Sequence, residues 1–70
     1  MYTRYELLNK LNLELLINNN LDTNNLLVNG HIIDIDTLFE DILNLDAEVL
    51  YTLDINIYQD NTASIEYSEC

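Results

Sequence analysis

The chain has 70 residues, 49% of them hydrophobic, and 13 acidic side chains against two basic ones give it a formal net charge of −11. A chain this short buries only about 60% of its unfolded surface, which leaves room for one core, so we expect a single domain over residues 1–70. No apolar run approaches the roughly 20 residues that span a bilayer, and the negative charge repels nucleic acids and anionic membranes. We therefore expect a cytoplasmic protein whose partner is basic.

The first predicted element is a helix that begins at a capping box. Thr3 and Glu6 have the spacing at which each side chain binds the backbone N–H of the other residue. Leucines at helical spacing follow, and they predict the buried face of the helix: Leu7, Leu8, Leu11 and Leu15. Asparagine tolerates the left-handed conformation that closes helices, so we expect the helix to end within residues 18–20.

The next predicted element is a short hairpin around Asn29 and Gly30, the preferred pair for a type I′ turn. Apolar residues flank this turn on both sides. They pair as Leu27 with Ile32 and Leu26 with Ile33. The two pairs lie on opposite faces of the ribbon, so we expect both faces to be covered.

A second helix is predicted in the middle of the chain. Asp36 or Thr37 is the expected N-cap, and Thr37 would form a capping box with Glu40. The expected buried face consists of Leu38, Phe39, Ile42, Leu43 and Leu45.

Two alternating strands complete the chain. Residues 49–57 and 63–67 carry apolar side chains at odd positions, so the odd-numbered residues of both strands are expected to face the core. Directly opposed residues share a face, which requires an odd number of loop residues. A three-residue loop of Asp60, Asn61 and Thr62 fits, with Asn61 left-handed. The order helix, hairpin, helix, hairpin predicts the α+β class, with a small antiparallel sheet covered by helices on one face.

Side chains that support catalysis are scarce. The chain has one histidine, His31, beside the hairpin turn, one cysteine at its end, Cys70, and no glycine-rich phosphate loop. Asp34, Asp36 and their acidic neighbours offer oxygen ligands, but they lack the glycine and the spacing of an EF-hand loop, and a strand end plus a helix cap explains them. We therefore expect no enzymatic activity, no cofactor and no dedicated metal site.

The acids themselves are the candidate binding site. No lysine or arginine follows Lys10, so acids on neighbouring elements can form rows that approach the charge density of a nucleic-acid strand. Asp34 and Asp36 have the spacing of alternate residues on a strand, which predicts one such row. An exposed tyrosine among them suits an interface, since its ring supplies buried area at little entropic cost. The predicted contact residues are Asp34, Asp36, Asp41, Glu48, Asp54, Tyr58 and Glu66. The alternative explanation is that the acids only keep a small apolar domain in solution.

In length, acidity and α+β pattern the chain resembles the small acidic proteins that phages direct against bacterial defence. These include anti-CRISPR proteins, anti-restriction DNA mimics and uracil-DNA glycosylase inhibitors. The resemblance is one of kind and carries no motif, so it assigns no functional residue. It implies an inhibitor that occupies the basic nucleic-acid channel of a host enzyme, with a Cas effector as the expected class.

Two other functions are compatible with the sequence. An immunity or antitoxin protein that neutralises a basic toxin nuclease needs the same acidic surface. A small oligomeric structural or assembly protein is suggested by apolar residues left over from the predicted core, namely Leu13, Leu16 and Leu50. A homodimer is compatible with all three functions, and we expect it to use an uncharged apolar patch because a charge of −11 per chain makes close approach costly.

Overall fold

The structure, a computed structural model, describes all 70 residues. The chain is α+β, with two helices and a four-stranded mixed sheet. In chain order the elements are α1 (Arg4–Leu16), β1 (Leu26–Val28), β2 (His31–Ile33), α2 (Ile35–Leu43), β3 (Tyr51–Ile57) and β4 (Ala63–Glu69). The strands lie side by side in the order β2-β1-β4-β3.

One core joins the two helices to the sheet. The buried side chains are Leu7, Leu11, Leu15, Leu21, Leu26, Val28, Leu38, Ile42, Tyr51, Ala63 and Ile65. No charged residue is among them, and the only polar group in the set is the Tyr51 hydroxyl. The core therefore stabilises the fold by apolar packing and leaves every charge at the surface.

The prediction of an antiparallel sheet is wrong for one pair of strands. The pairs β1–β2 and β3–β4 are antiparallel, but β1 and β4 run parallel, with Leu27 opposite Ser64 and Val28 opposite Ile65. The reason lies in the connection from β2 to β3, which passes through α2. A helical connection returns the chain to the end of the sheet at which β2 began, so β3 runs in the direction of β2 and β4 in that of β1.

The capping box that starts α1 is confirmed. Glu6 N donates to Thr3 Oγ1 over 3.2 Å, and Thr3 N donates to Glu6 Oε1 over 3.0 Å. The predicted left-handed closure within residues 18–20 is wrong, because the helix ends at Leu16 and its C-cap, Ile17, is right-handed. The asparagines that follow form a turn instead, with Leu21 N bound to Asn18 O.

The first hairpin has the predicted turn and register. Asn29 and Gly30 have φ values of 49° and 84°, as a type I′ turn requires, and Leu26 lies opposite Ile33. The expected cover on both faces is wrong. Leu26 is fully buried, whereas Leu27 and Ile32 on the other face are 40% and 60% exposed. One face of this hairpin is therefore open.

The second helix begins earlier than predicted. Its N-cap is Asp34, whose carboxylate accepts from Thr37 N over 3.2 Å, so the prediction of a cap at Asp36 or Thr37 is wrong. The helix starts as soon as β2 ends because Ile35 packs against the core and its N–H binds Thr23 O. Leu38 and Ile42 are buried as predicted. Leu43 is 56% exposed, since it is turned about 100° from Ile42.

The second hairpin keeps the predicted parity. Odd-numbered residues pair with each other and face the core, as in Ile55 opposite Ile65. The loop also has three residues, but it lies one position earlier than predicted. Tyr58 N bonds to Thr62 O and closes the ladder around residues 59–61. Asn61, with φ of 68°, is the left-handed residue, as predicted.

Arg4 connects the two helices. Its Nη1 donates to Leu43 O over 3.2 Å and to Leu45 O over 3.4 Å, at the C-terminal end of α2. These carbonyls have no partner within the helix and carry the negative end of its dipole, so a guanidinium satisfies them and is attracted to them.

We predict that Arg4→Gln lowers the free energy of unfolding by about 1 kcal/mol, because charge-assisted hydrogen bonds to the end of α2 are lost. Lys10→Gln is the matched control, since it removes the other basic side chain, which forms an exposed i,i+4 ion pair with Glu14. Its expected cost is only about 0.3–0.5 kcal/mol. Urea unfolding of both variants measures the difference, and equal losses would contradict the role given to Arg4.

Candidate functional site

The thirteen acidic side chains all lie at the surface, where each is exposed or half-buried. Six of them have a local partner. They are Glu6, Asp22, Asp34, Asp46 and Asp60, which accept hydrogen bonds within a cap or turn, and Glu14, which pairs with Lys10. Hydrogen bonds from Thr3 lower the pKa of Glu6, and those from Thr37 and Thr62 lower the pKa values of Asp34 and Asp60. These acids stabilise local structure.

The carboxylates of the other seven acids have no local partner. They are Asp36, Glu40, Asp41, Glu48, Asp54, Glu66 and Glu69, and none of their carboxylates accepts a hydrogen bond or forms an ion pair. All seven are exposed. Five of them belong to the predicted contact residues, whereas Glu40 and Glu69 do not. The unpartnered acids lie on α2, in the turn after it and on the β3–β4 hairpin.

Asp54 and Glu66 form a pair among these acids. They are directly opposed in the β3–β4 ladder and lie on the exposed face of the sheet. Opposed residues of an antiparallel pair have Cβ atoms about 5 Å apart, and two like charges at that distance destabilise the sheet. No lysine or arginine pairs with either carboxylate. The chain therefore holds two negative charges together at some cost to its own stability.

Polar groups surround this acidic pair. In the next row of the ladder, the hydroxyls of Thr52 and Ser68 lie 3.0 Å apart and share a hydrogen bond. The Asn29 side chain accepts from Tyr67 N over 3.0 Å, just beyond the end of the short strand β1. A shallow hollow of about 240 Å³ lies over these groups. It is open, polar and negatively charged, which suits a cationic side chain better than a small apolar ligand.

Asp34 and Asp36 are not part of this group. The expected row on a strand is wrong, because Asp34 caps α2 and Asp36 lies in its first turn. They also follow β2, at the opposite edge of the sheet from β3. The structure therefore separates the acids at the start of α2 from the Asp54–Glu66 pair.

Asp41, Glu48 and Tyr58 lie around the second hairpin and the end of α2. Asp41 is on α2, and its charge adds to burial in raising the pKa of Tyr67 on β4. Glu48 is exposed in the turn between α2 and β3. Tyr58 follows the last residue of β3 and is 53% exposed. Its ring is therefore available for contact near the acidic hairpin.

Glu69 is the acid that sequence reasoning missed most clearly. It has the parity of the inward-facing residues of β4, yet it lies exposed at the end of the strand opposite Tyr51. Burial raises the pKa of Tyr51, and the charges of Asp46 and Glu69 raise it further. Strand parity alone assigns Glu69 to the core face, whereas its charge, which is rarely buried without a partner, is the signal that places it at the surface.

The remaining functional groups of the chain do not form a site. His31 and Cys70 are exposed and stand apart from one another in the fold. No three histidine, cysteine or acidic side chains are arranged to hold a metal ion. Neither helix has the length and hydropathy needed to cross a membrane. Comparisons with protein-family models, curated proteins and solved structures find no match.

The pH dependence of stability tests the division between capping and unpartnered acids. Because Thr37 lowers the pKa of Asp34 in the folded chain, ionised Asp34 stabilises the fold above its unfolded pKa, and this contribution is lost as the pH falls through the folded value. We predict that Asp34→Asn, which keeps a good N-cap, loses less stability than the wild type between about pH 5 and pH 2. Asp36→Asn is the charge-matched control on the same helix, and because Asp36 accepts no hydrogen bond in the cap, Asp34→Asn should change the pH profile more. Thermal unfolding at several pH values measures this, and a wild-type profile for Asp34→Asn would contradict it.

The strain between Asp54 and Glu66 predicts a stabilising substitution. Asp54→Asn should raise the free energy of unfolding by about 0.2–1 kcal/mol at low salt, because it removes one of two directly opposed like charges. Glu48→Gln removes one charge from the turn between α2 and β3, outside any helix or ladder, and should have a smaller effect. High salt should reduce the difference by screening. If urea unfolding finds Asp54→Asn no more stable than Glu48→Gln, the two carboxylates do not repel each other measurably.

Proposed function

We propose that this protein is an acidic inhibitor that binds the basic nucleic-acid-binding surface of a host enzyme. The observation that carries the proposal is the Asp54–Glu66 pair, two opposed carboxylates on an exposed face with no cation between them. In this proposal both helices lie on the other face of the sheet, which leaves the Asp54–Glu66 face for the partner. A basic cleft built for phosphates relieves the repulsion that the free protein retains.

The two basic residues form no ion pair with Asp54 or Glu66. Arg4 binds the carbonyls at the end of α2, and Lys10 lies 3.3 Å from Glu14 on α1. No other lysine or arginine exists in the chain. The spacing of opposed carboxylates, about 5 Å, is of the same order as the 3.4 Å of helix axis per charge along a DNA strand. Carboxylates at this spacing can replace phosphates in a basic channel.

The proposed activity is stoichiometric binding and not catalysis. Asp54 and Glu66 would contact basic side chains, and the exposed ring of Tyr58, just after the end of β3, would supply apolar contact area. The proposed setting is the cytoplasm of a bacterial cell, the proposed origin is a phage, and a Cas effector is the proposed class of target. The lone cysteine, Cys70, fits a compartment in which no internal disulfide is needed.

Self-association is a second candidate, favoured by one observation. Leu13, Leu16 and Ile17 lie on one side of α1 at i, i+3 and i+4 spacing and are 63%, 60% and 75% exposed. This apolar stripe lies on the helix that carries both basic residues, so two copies could meet here with less repulsion than elsewhere. Such a homodimer would present an acidic hairpin on each side.

Capture and competition test the proposal. Tagged protein is immobilised and exposed to bacterial lysate, bound enzymes are identified by mass spectrometry, and short duplex DNA is then added. We predict that the captured protein is a nucleic-acid enzyme that duplex DNA releases, because both ligands need the same basic surface. Capture that resists any amount of nucleic acid would contradict the proposal.

Two double variants distinguish the contribution of the Asp54–Glu66 pair to binding from that of the net charge. Asp54→Asn combined with Glu66→Gln should weaken capture at least about tenfold, which corresponds to about 1.4 kcal/mol. Glu40→Gln combined with Glu69→Gln changes the net charge equally at two other unpartnered acids and should have a clearly smaller effect. Equal losses would mean that overall charge, and not the Asp54–Glu66 pair, determines binding.

A further inference from the structure

β3 lies at the edge of the sheet, and its alternate residues turn their backbone groups to opposite sides. Tyr58 N bonds to Thr62 O over 2.9 Å and Cys70 N bonds to Leu50 O over 3.0 Å, so the even-numbered positions bond across the β3–β4 ladder. In an antiparallel ladder the intervening residues direct their N–H and C=O groups away from that partner. The odd-numbered residues of β3 therefore face the open edge.

The first outward-facing residue of this edge is already paired. Tyr2 and Tyr51 exchange two hydrogen bonds, of 2.8 and 2.7 Å, in an antiparallel bridge. The next three outward-facing residues, Leu53, Ile55 and Ile57, have no backbone partner on this side. Their N–H and C=O groups are left for water or for another strand.

The edge has few of the devices that keep natural edge strands from pairing, and its one charged residue, Asp54, disfavours an acidic strand but not a basic one. β3 contains no proline and no lysine, and its register with β4 runs without a bulge from Tyr51 to Ile57. β2, at the opposite edge, has only three residues. An added strand therefore gains more backbone hydrogen bonds along β3 than along β2.

A strand added at β3 would meet different side chains on its two faces. On the exposed face its residue beside Asp54 extends the row that Asp54 forms with Glu66. A lysine or arginine there is attracted by two carboxylates, whereas an acid is repelled. A groove of about 180 Å³ runs along this edge between β3 and α1 and reaches Asp54; it is lined by Tyr2, Lys10, Glu14, Leu53, Asp54 and Ile55. Aliphatic side chains would cover the half-buried Leu53 and Ile55 on the other face.

We infer that the edge of β3 from Leu53 to Ile57 binds an extended segment of the partner by antiparallel strand addition. The inference rests on the proposed function for the positive charge of that partner. The segment carries lysine or arginine at alternate positions, next to Asp54, and aliphatic residues between them, over the groove. Backbone hydrogen bonds supply affinity and the alternating side chains supply selectivity.

A second copy of this chain is a less favourable occupant of the edge. Pairing two β3 strands would bring two chains, each of net charge −11, into one continuous sheet. The Asp54–Glu66 pairs of both copies would then share a surface, and their repulsion would oppose the gain in hydrogen bonds. A cationic segment is attracted by the same charges.

The test uses a capped heptapeptide of alternating lysine and valine, with lysine at both ends. In antiparallel addition its valines lie opposite Leu53, Ile55 and Ile57 and direct their N–H groups toward β3. N-methylation of the three valines removes these donors. N-methylation of three lysines removes donors that point away from β3, at the same charge and the same number of added methyl groups. We expect the valine-methylated peptide to bind at least about tenfold more weakly than the other two, measured by isothermal titration calorimetry.

Amide hydrogen exchange, followed by NMR, gives a second readout that does not depend on affinity. The unmodified peptide should slow exchange at Leu53, Ile55 and Ile57, because their N–H groups become bonded. The amides of Asp54 and Asn56 already bond across the ladder to β4 and should change little.

The outcomes distinguish this inference from the proposed function. Equal binding of all three peptides would overturn strand addition but leave the attraction for basic partners in place. No binding of any peptide at low salt would count against both proposals. Protection of the three edge amides that rises with protein concentration, without peptide, would identify a second copy as the occupant and overturn the inference.

Discussion

The antiparallel pairing of β3 with β4 is the interaction on which the rest of the structure depends. Its seven paired positions decide which side chains enter the core and which face solvent. The odd-numbered positions supply Tyr51, Ala63 and Ile65 to the core, and the same register fixes Asp54 opposite Glu66 on the other face. A shift of the β3–β4 register by one residue would separate the two carboxylates but expose the core side chains. Burial of apolar side chains therefore keeps Asp54 opposite Glu66. In the proposed function, a cationic partner would remove the repulsion between these carboxylates on binding.

Neither basic residue of the chain forms an ion pair with Asp54 or Glu66. Arg4 satisfies the end of α2, and Lys10 pairs with Glu14, so both are engaged in local structure. Six acids are likewise engaged in caps, turns or that ion pair. What remains on the surface is a set of acids with no partner, and two of them, Asp54 and Glu66, are directly opposed beside the open edge of β3. Charge and unpaired backbone groups therefore meet in one region, where a basic extended segment could use both.

Local features of this fold were predictable because neighbouring residues determine them. The capping box at Thr3, the type I′ turn at Asn29 and Gly30, and the parity of the last two strands depend on short-range sterics and hydrogen bonds. The parallel pairing of β1 with β4 depends on the path of α2 between the hairpins, which local sequence does not specify. For the site, parity alone placed Asp54 and Glu66 on one outer face. Asp34 was wrongly assigned to an acidic row. It is the N-cap because α2 begins at Ile35, which packs against the core, and the local sequence does not determine that start.

The central claim is that unpartnered carboxylates on a rigid hairpin take the place of a polyanion in a basic cleft. The dissociation constant for the captured partner, measured at increasing potassium chloride concentrations, tests this claim most directly. We predict that affinity falls steeply and steadily as salt rises, because ions screen the carboxylates and compete for the basic cleft. An affinity that stays constant over the same range of salt would contradict the claim and would point to an apolar contact surface instead.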